Sequence, residues 1–133
     1  KNPYQCKLAG TQSAAVAAGL YYDTSAQTWN GTTWSDPGAA MPIHVYSTSA
    51  VGTATAASFI GGYGPIPTAN AQSAQQEWNG SAWSTGTAMP GTGTPTGIQN
   101  GFMVGGYAPG PATRINTTQE FAGGPATVTI TTS

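Results

Sequence analysis

The chain has 133 residues, of which only 5% are charged, and its formal net charge is −1. A typical soluble domain has about 25% charged residues, so this composition offers neither a basic patch for nucleic acid nor attraction to an anionic membrane. The length corresponds to one domain, and no apolar run is long enough to span a membrane. The 19 glycines and 10 prolines favour turns over long helices. We therefore expect a single all-β domain without nucleic acid or an inserted membrane as a partner.

The first predicted unit covers approximately residues 8–42 and contains two kinds of element. The stretch GTQSAAVAAGLY at 10–21 is a short apolar strand that closes on glycine. The stretch TWNGTTW at 28–34 predicts a β-hairpin, because Asn-Gly readily supplies the positive φ angles of a two-residue type I′ turn. After a short polar link, Met41-Pro42 ends the unit.

The second predicted unit, approximately 51–90, repeats the order of the first. Its apolar strand is GTATAASFIGGY at 52–63, which closes on Gly-Gly-Tyr. Its hairpin is EWNGSAW at 77–83, with a second Asn-Gly pair at the turn. Met89-Pro90 follows, as Met-Pro does in the first unit.

The third predicted unit, approximately 96–133, repeats the strand more faithfully than the hairpin. GIQNGFMVGGY at 97–107 again closes on Gly-Gly-Tyr, and QEFAGG at 119–124 matches the hairpin with Phe121 in the tryptophan position. No second tryptophan follows, and the chain ends in the alternating pattern TVTITTS. Three units with several short strands each predict a β-propeller or a related repeat array.

The predicted two-residue turn sets the register of each hairpin. Counting outward from Asn-Gly pairs Trp29 with Thr32 and Gln27 with Trp34, which makes the two indoles diagonal neighbours on one face. Because the tryptophans recur at a fixed register, we expect them to pack one unit against the next. The repeat positions predicted to have structural roles are Trp29, Trp34, Trp78, Trp83, Gly61, Gly62, Gly105 and Gly106.

The number of units limits the possible folds. Propellers typically have four to eight blades of four strands, so we expect a partial β-propeller that is completed by oligomerisation or by chain outside this sequence. The alternative is a β-trefoil, because Gln-x-Trp at 27–29 and 76–78, with Gln-x-Phe at 119–121, resembles the motif of ricin-type lectins. The second tryptophan and the Gly-Gly-Tyr copies favour the propeller.

The repeated residues also resemble a known family. Gly-Gly followed by Tyr, and two tryptophans on a late hairpin, resemble kelch repeats. LAGTQSAAVAAG at 8–19 followed by TWNGTTWSDPGAAMP at 28–42 is similar to the kelch-like tandem repeats of structural proteins in tailed phages of the cyanophage and marine-phage type. The resemblance implies kelch-like units of antiparallel strands and a place in the virion. The arginine usual after the Met-Pro link in that family is absent, and Ile43-His44 stands there in the first unit.

Few residues could support catalysis or bind a metal. His44 is the only histidine, Cys6 is the only cysteine, and there are only four carboxylates. A catalytic triad or a metal site needs several such groups close together. We therefore expect no enzyme activity, no catalytic residue, no metal and no cofactor, and a structural or surface role for His44.

Two loops that differ between units are the candidate binding sites. YGPIPTANA at 63–71 and YAPGPATRI at 107–115 occupy matching positions after Gly-Gly, and their prolines make them relatively preorganised. Each has an aromatic residue that could stack on a sugar ring, and the second also has a cation. The predicted ligand-binding residues are Tyr63, Asn70, Tyr107 and Arg114.

The leading functional hypothesis is a non-enzymatic structural protein of the virion, as a tail, fibre or capsid-decorating component. Its expected partners are copies of itself, other virion proteins and, as an added contact, a host-surface glycan. The alternative is a secreted, extracellular sugar-binding lectin of oligomeric-propeller or trefoil type. Low charge weakens repulsion between molecules, which suits a surface packed into a virion or one placed outside cells.

Overall fold

The structure is a computed structural model that describes residues 5–21, 23–64 and 70–89, and the backbone of four strands between residues 94 and 130. All regular secondary structure in these residues is β-strand, which confirms the predicted all-β class. The described strands pair antiparallel, and none of their sheets closes into a barrel. No helix that could cross a membrane occurs among the described residues.

The first sheet is a four-stranded antiparallel meander, in which each strand pairs with its neighbour in the chain. Side chains alternate between the two faces, so Val16 and Ala18 lie on one face and Leu8 lies on the other. Beyond the second strand, Leu20 and Asp23 form a single bridge. The strands are β1 (Lys7–Gly10), β2 (Ala15–Ala18), β3 (Gln27–Trp29) and β4 (Trp34–Ser35).

The second sheet repeats the four-stranded meander and adds a two-stranded ribbon between its second and third strands. The ribbon occupies the place where the first unit has only the bridge between Leu20 and Asp23. The strands of the sheet are β5 (Ser49–Thr53), β6 (Ala56–Ile60), β9 (Gln75–Trp78) and β10 (Trp83–Thr85), and those of the ribbon are β7 (Tyr63–Gly64) and β8 (Asn70–Ala71).

The third sheet is again a four-stranded antiparallel meander. Its strands are β11 (Thr94–Gln99), β12 (Phe102–Tyr107), β13 (Arg114–Phe121) and β14 (Thr127–Ile130). The Gly-Gly pair of this unit lies inside β12, where the register shifts between Val104 and Gly106. The first strands of the sheets are neighbours, since β5 contacts both β1 and β11. Three separate sheets do not fit the trefoil alternative, whose core is a closed barrel.

The hydrophobic core of the described residues lies between the first and second sheets. Ala57, Phe59 and Trp78 on one face of the second sheet pack against the face of the first sheet that has Val16 and Ala18. These five residues are at most 4% exposed. Small side chains on one sheet and aromatic rings on the other fill the space between them, so this contact stabilises the fold by removing apolar surface from water.

Residues 41–48 form the link between the first two sheets. The link begins at Met41, and Met89 occupies the matching position after the last strand of the second sheet. The Met41 N–H donates to the carbonyl oxygen of Thr24 at 2.8 Å, and the Met89 N–H donates to that of Ser73 at the same distance. Both methionine side chains are buried. The repeated methionine therefore returns the chain to the segment just before the third strand in each of the first two sheets.

The link passes very close to the ribbon of the second unit. Tyr46 and Tyr63 exchange both backbone hydrogen bonds, each with an N···O distance of 2.9 Å. A Cβ atom added at Gly62 would overlap the carbonyl oxygen of Tyr46, and one added at Gly64 would overlap that of His44. Glycine is required at these positions because the backbone of the link occupies the space of a side chain.

The prediction of a two-residue type I′ turn is wrong. In the first hairpin Trp29 pairs directly with Trp34, which leaves a four-residue loop at 30–33. The side-chain oxygen of Asn30 accepts two backbone N–H groups of that loop, both at 2.9 Å. Within the loop only Gly31 has a positive φ, of 93°, so the asparagine acts through its side chain and not through a left-handed backbone. The two indoles are consequently opposite each other and not diagonal.

The second hairpin has the same loop and the same register. Trp78 pairs directly with Trp83. The Asn79 side-chain oxygen accepts the backbone N–H groups of Ser81 and Ala82, at 3.0 and 2.8 Å. Because loop and register both recur, the two tryptophans occupy equivalent positions in the first two units.

We predict that Gly64→Ala destabilises the fold by about 3 kcal/mol, because the new methyl group would overlap the His44 carbonyl oxygen. Gly38→Ala is the matched control: its φ is 73° and nothing lies within 4 Å of the added Cβ, so only a backbone cost of about 1 kcal/mol remains. Urea unfolding followed by tryptophan fluorescence measures both losses. Equal losses in the two variants would contradict the close approach of the link.

Candidate functional site

Each of the first two sheets has a pair of tryptophans that face each other across its third and fourth strands. The ring centroids of Trp29 and Trp34 are 5.5 Å apart, and those of Trp78 and Trp83 are 5.3 Å apart. Ring pairs at this distance stabilise a structure beyond the burial of their area alone. The pair is therefore a structural feature of each unit by itself.

The indole N–H of the first tryptophan in each pair is hydrogen-bonded to the turn between the first two strands of its own sheet. Trp29 donates from Nε1 to the carbonyl oxygen of Gln12 at 2.7 Å, and Trp78 donates to that of Ala54 at 2.9 Å. The same bond thus recurs at equivalent places. It orients the tryptophan within the unit, independently of any neighbouring sheet.

The two tryptophan pairs differ in what covers them. Trp78 is 1% exposed, and the ring of Trp83 contacts Phe59 edge-on with centroids 5.2 Å apart. The first sheet covers this pair, since Trp78 belongs to the core that the two sheets share. Trp34, by contrast, is 44% exposed. Among the described residues, tryptophans lie between two units only at the second pair.

A buried glutamine joins the link to the tryptophan face of the second sheet. Gln76 is fully buried, and its Oε1 accepts the backbone N–H of Ile43 at 2.8 Å. Sequence analysis missed this role. The available signal was the recurrence of glutamine two residues before the aromatic position in all three units, at Gln27, Gln76 and Gln119. These are the same glutamines whose triplets resemble the motif of ricin-type lectins.

Three tyrosines form a cluster where the link passes the ribbon. Tyr46 contacts Tyr21 with ring centroids 4.6 Å apart and Tyr63 with centroids 6.1 Å apart. Burial, and then the neighbouring phenols of Tyr21 and Tyr63, raise the pKa of Tyr46 above its ordinary value. Since the folded state favours the neutral phenol, this contribution to stability is fully present below pH of about 10 and is lost as the pH rises further. The ring contacts pack the link against both the first unit and the ribbon.

His44 lies in the link and has a structural role. Its Nε2–H donates to the carbonyl oxygens of Leu20 and Tyr21, at 3.3 and 3.1 Å. These bonds attach the link to the end of the second strand of the first sheet. Cys6 is a free, partly buried thiol, and the described part of the chain has no group of three or more His, Cys, Asp or Glu residues that could hold a metal ion.

The first candidate binding loop contains the ribbon. Tyr63 is half-buried in β7, and Asn70 is exposed in β8, where it pairs with Gly64. The Gln72 side chain donates from Nε2 to the carbonyl oxygens of Gly64 and Asn70, both at 3.0 Å. Tyr63 pairs with Ala71 and Asn70 pairs with Gly64, so alternation puts the side chains of Tyr63 and Asn70 on opposite faces of the ribbon, while residues 65–69 lie outside the described residues.

The second candidate binding loop connects β12 and β13. Tyr107 ends β12 and Arg114 begins β13, and their backbones pair directly. The two predicted residues are therefore neighbours at the end of this hairpin. Their side chains lie outside the described residues, as does that of Phe121 at the end of β13.

Comparisons with known proteins do not identify a family. No protein-family model matches the chain, and no curated protein matches it. The kelch-like and phage resemblance therefore stays a prediction that rests on the repeated residues themselves.

We predict that Gln76→Ala destabilises the fold by about 2–4 kcal/mol, because it opens a cavity and leaves the Ile43 N–H without its acceptor. Gln27→Ala is the matched control at the equivalent position of the first sheet. Gln27 is only half-buried, so its loss should cost less than about 1 kcal/mol. Denaturant unfolding of the two variants gives both values, and a larger loss at Gln27 would contradict the assigned role of Gln76.

Proposed function

We propose that the chain is a non-enzymatic structural protein of a tailed-phage virion, used in a tail, fibre or capsid-decorating component. Its units are, in this proposal, kelch-like blades of a partial β-propeller. The virion role is supported by the resemblance of the repeated residues to kelch-like phage proteins. The blade assignment is supported by the three successive four-stranded meanders.

The observation that carries the proposal is the contact between successive sheets. A propeller consists of four-stranded antiparallel sheets arranged around a central channel. Here the first strands are neighbours, since β5 contacts both β1 and β11, and the aromatic face of the second sheet is buried under the first. Blades around a central axis must pack face to face and meet along their first strands.

The use of polar side chains favours a structural role over catalysis. Gln76 and His44 both bind backbone atoms of another segment, and Trp78 binds the turn of its own sheet. Each of these groups is engaged in holding strands or units together. The low charge of 5% also suits a surface that is packed against other proteins.

Labelling of virions tests the proposal. We expect antibodies raised against the folded chain to label particles of the phage that encodes it at one repeated position in electron micrographs. Mass spectrometry of the same purified particles should find peptides of this chain at a fixed copy number. Serum depleted on the pure chain is the control. Absence of the chain from washed particles would refute the structural role.

A contact with a host-surface glycan is the second candidate, and the tyrosine cluster favours it. Tyr63 packs beside the buried Tyr46 and is itself only half-buried, so part of a well-held aromatic ring stays accessible to a sugar. Asn70 is exposed but lies on the opposite face of the ribbon by register, so the proposed contact at the ribbon rests on Tyr63 alone. Tyr107 and Arg114 are proposed to make the corresponding contact in the third unit.

Binding of the purified chain to a glycan array tests this contact. Tyr63→Ala should weaken the strongest signal at least tenfold. Asn70→Ala, on the opposite face of the ribbon, and Thr87→Ala, at another exposed position, should leave it unchanged. Unchanged binding by Tyr63→Ala would refute a contact at the ribbon. Saturable binding of simple sugars by a chain that is absent from virions would favour the secreted lectin instead.

A further inference from the structure

The first sheet has an apolar face that points away from the second sheet. Strand register places Leu8, Ala17 and Gln27 in one row across this face, and Trp29 and Trp34 in another. Leu8 is 52% exposed and Trp34 is 44% exposed, and these are the exposed large hydrophobic residues among those the structure describes. We refer to these five residues as the outer face.

The equivalent face of the second sheet is covered. Phe59, Gln76 and Trp78 on that face are at most 1% exposed, because the first sheet and the link lie over them. The structure therefore contains the same face twice, once covered and once open. The residues equivalent by register to the outer face are Ala50, Phe59, Gln76, Trp78 and Trp83.

We propose that the outer face binds a second copy of this chain. In this contact the third sheet of the second copy covers the outer face, just as the first sheet covers the second sheet within one chain. The third sheet makes the contact with its far face, which is the face of Phe102 and Val104 by register. The inference deepens the proposed function and rests on it for the blade architecture. The contact joins unlike faces head to tail, and such contacts form rings when the rotation closes.

The far face of the third sheet has the register positions that this contact needs. In the contact between the first two sheets, Val16 and Ala18 are the β2 residues that cover the tryptophan face. Strand pairing puts Phe102 and Val104 at the equivalent positions of β12. Apolar residues thus occur at the matching positions of both ends of the chain, which favours another copy of the chain as the occupant.

The outer face is also preorganised for binding. The Trp29 indole is held by its hydrogen bond to the Gln12 carbonyl oxygen, and Trp34 packs on Trp29. A surface whose aromatic side chains are already ordered loses less conformational freedom when it binds. Tryptophan is also the residue type most enriched among the anchors of protein interfaces.

Sedimentation velocity and native mass spectrometry of the full chain, over a concentration series, test the inference. We expect a species of twice the 13.4 kDa chain mass. The double variant Leu8→Ser/Trp34→Ser should raise the dissociation constant at least tenfold. Both side chains are about half exposed in the single chain, so the melting temperature of the monomer should fall only by the few degrees that loss of the ring contact between Trp29 and Trp34 costs. Trp83→Ser, at the covered equivalent of Trp34, is the matched control and should lower that melting temperature strongly.

Two results would overturn the inference: a wild-type chain that stays monomeric at every concentration, or a dimer that Leu8→Ser/Trp34→Ser does not weaken. Neither result bears on the labelling of virions, so the proposed function would survive both. Conversely, a dimer that depends on the outer face, together with unlabelled virions, would support the inference and refute the proposed virion role alone.

Discussion

The rest of the structure depends on one contact, in which the first sheet covers the tryptophan face of the second. Apolar burial around Trp78 and Phe59 supplies most of the stabilising free energy of this contact, and loss of one such ring typically costs about 3–5 kcal/mol. Apolar burial is not directional, however. The bond from the Ile43 N–H to Gln76 adds direction, because it pairs the buried amide oxygen of this side chain. The Gln76 Nε2 has no hydrogen-bond partner in the described part of the chain. The hydrogen bond therefore restricts the link to one crossing point on the tryptophan face of the second sheet.

The same contact explains the glycine and tyrosine positions beside it. Once Ile43 is held, the following residues must pass over the end of the second sheet, and Tyr46 pairs its backbone with Tyr63. That pairing leaves no room for side chains at Gly62 and Gly64. Gly62 and Gly64 of the Gly-Gly-Tyr-Gly run are therefore required by the close approach of two backbone segments.

Local patterns located the second strand of each of the first two sheets, but not the turn before it or the register of the hairpins. The single strands predicted at 10–21 and 52–63 each include the turn that joins the first two strands of a sheet, so this part of the prediction is wrong. Alternation and closing glycines are properties of neighbouring residues, so the apolar strands before Gly19 and Gly61 could be located from them. An Asn-Gly pair can form a turn in two ways: with the asparagine backbone at a positive φ, or with the asparagine side chain bonded to N–H groups of the loop. The second holds here because the Asn30 oxygen satisfies two N–H groups of a longer loop.

The candidate site was predicted less well than the fold, because its main interactions join distant segments. Gln76 and Ile43 are 33 residues apart, and no local pattern connects them. Tyr46 was not predicted at all, since its role comes from the packing of Tyr21 and Tyr63 around it. Tyr63 and Asn70 were predicted together from a loop between two strands, but the ribbon puts their side chains on opposite faces, because the loop sequence alone does not set the register.

A repeat protein forms the same kind of interface between each pair of neighbouring units. A unit without a neighbour on one side exposes that surface to solvent. Trp29 and Trp34 have the register of Trp78 and Trp83, but no described sheet lies over them. Exposed apolar rings favour association, and a chain with so few charges has little electrostatic repulsion to oppose it. Selectivity must then come from shape, because the covering sheet has to fit its apolar side chains against the rings that project. The residues that stabilise contacts between units within the chain are thus the same kind that would select a further unit at its end.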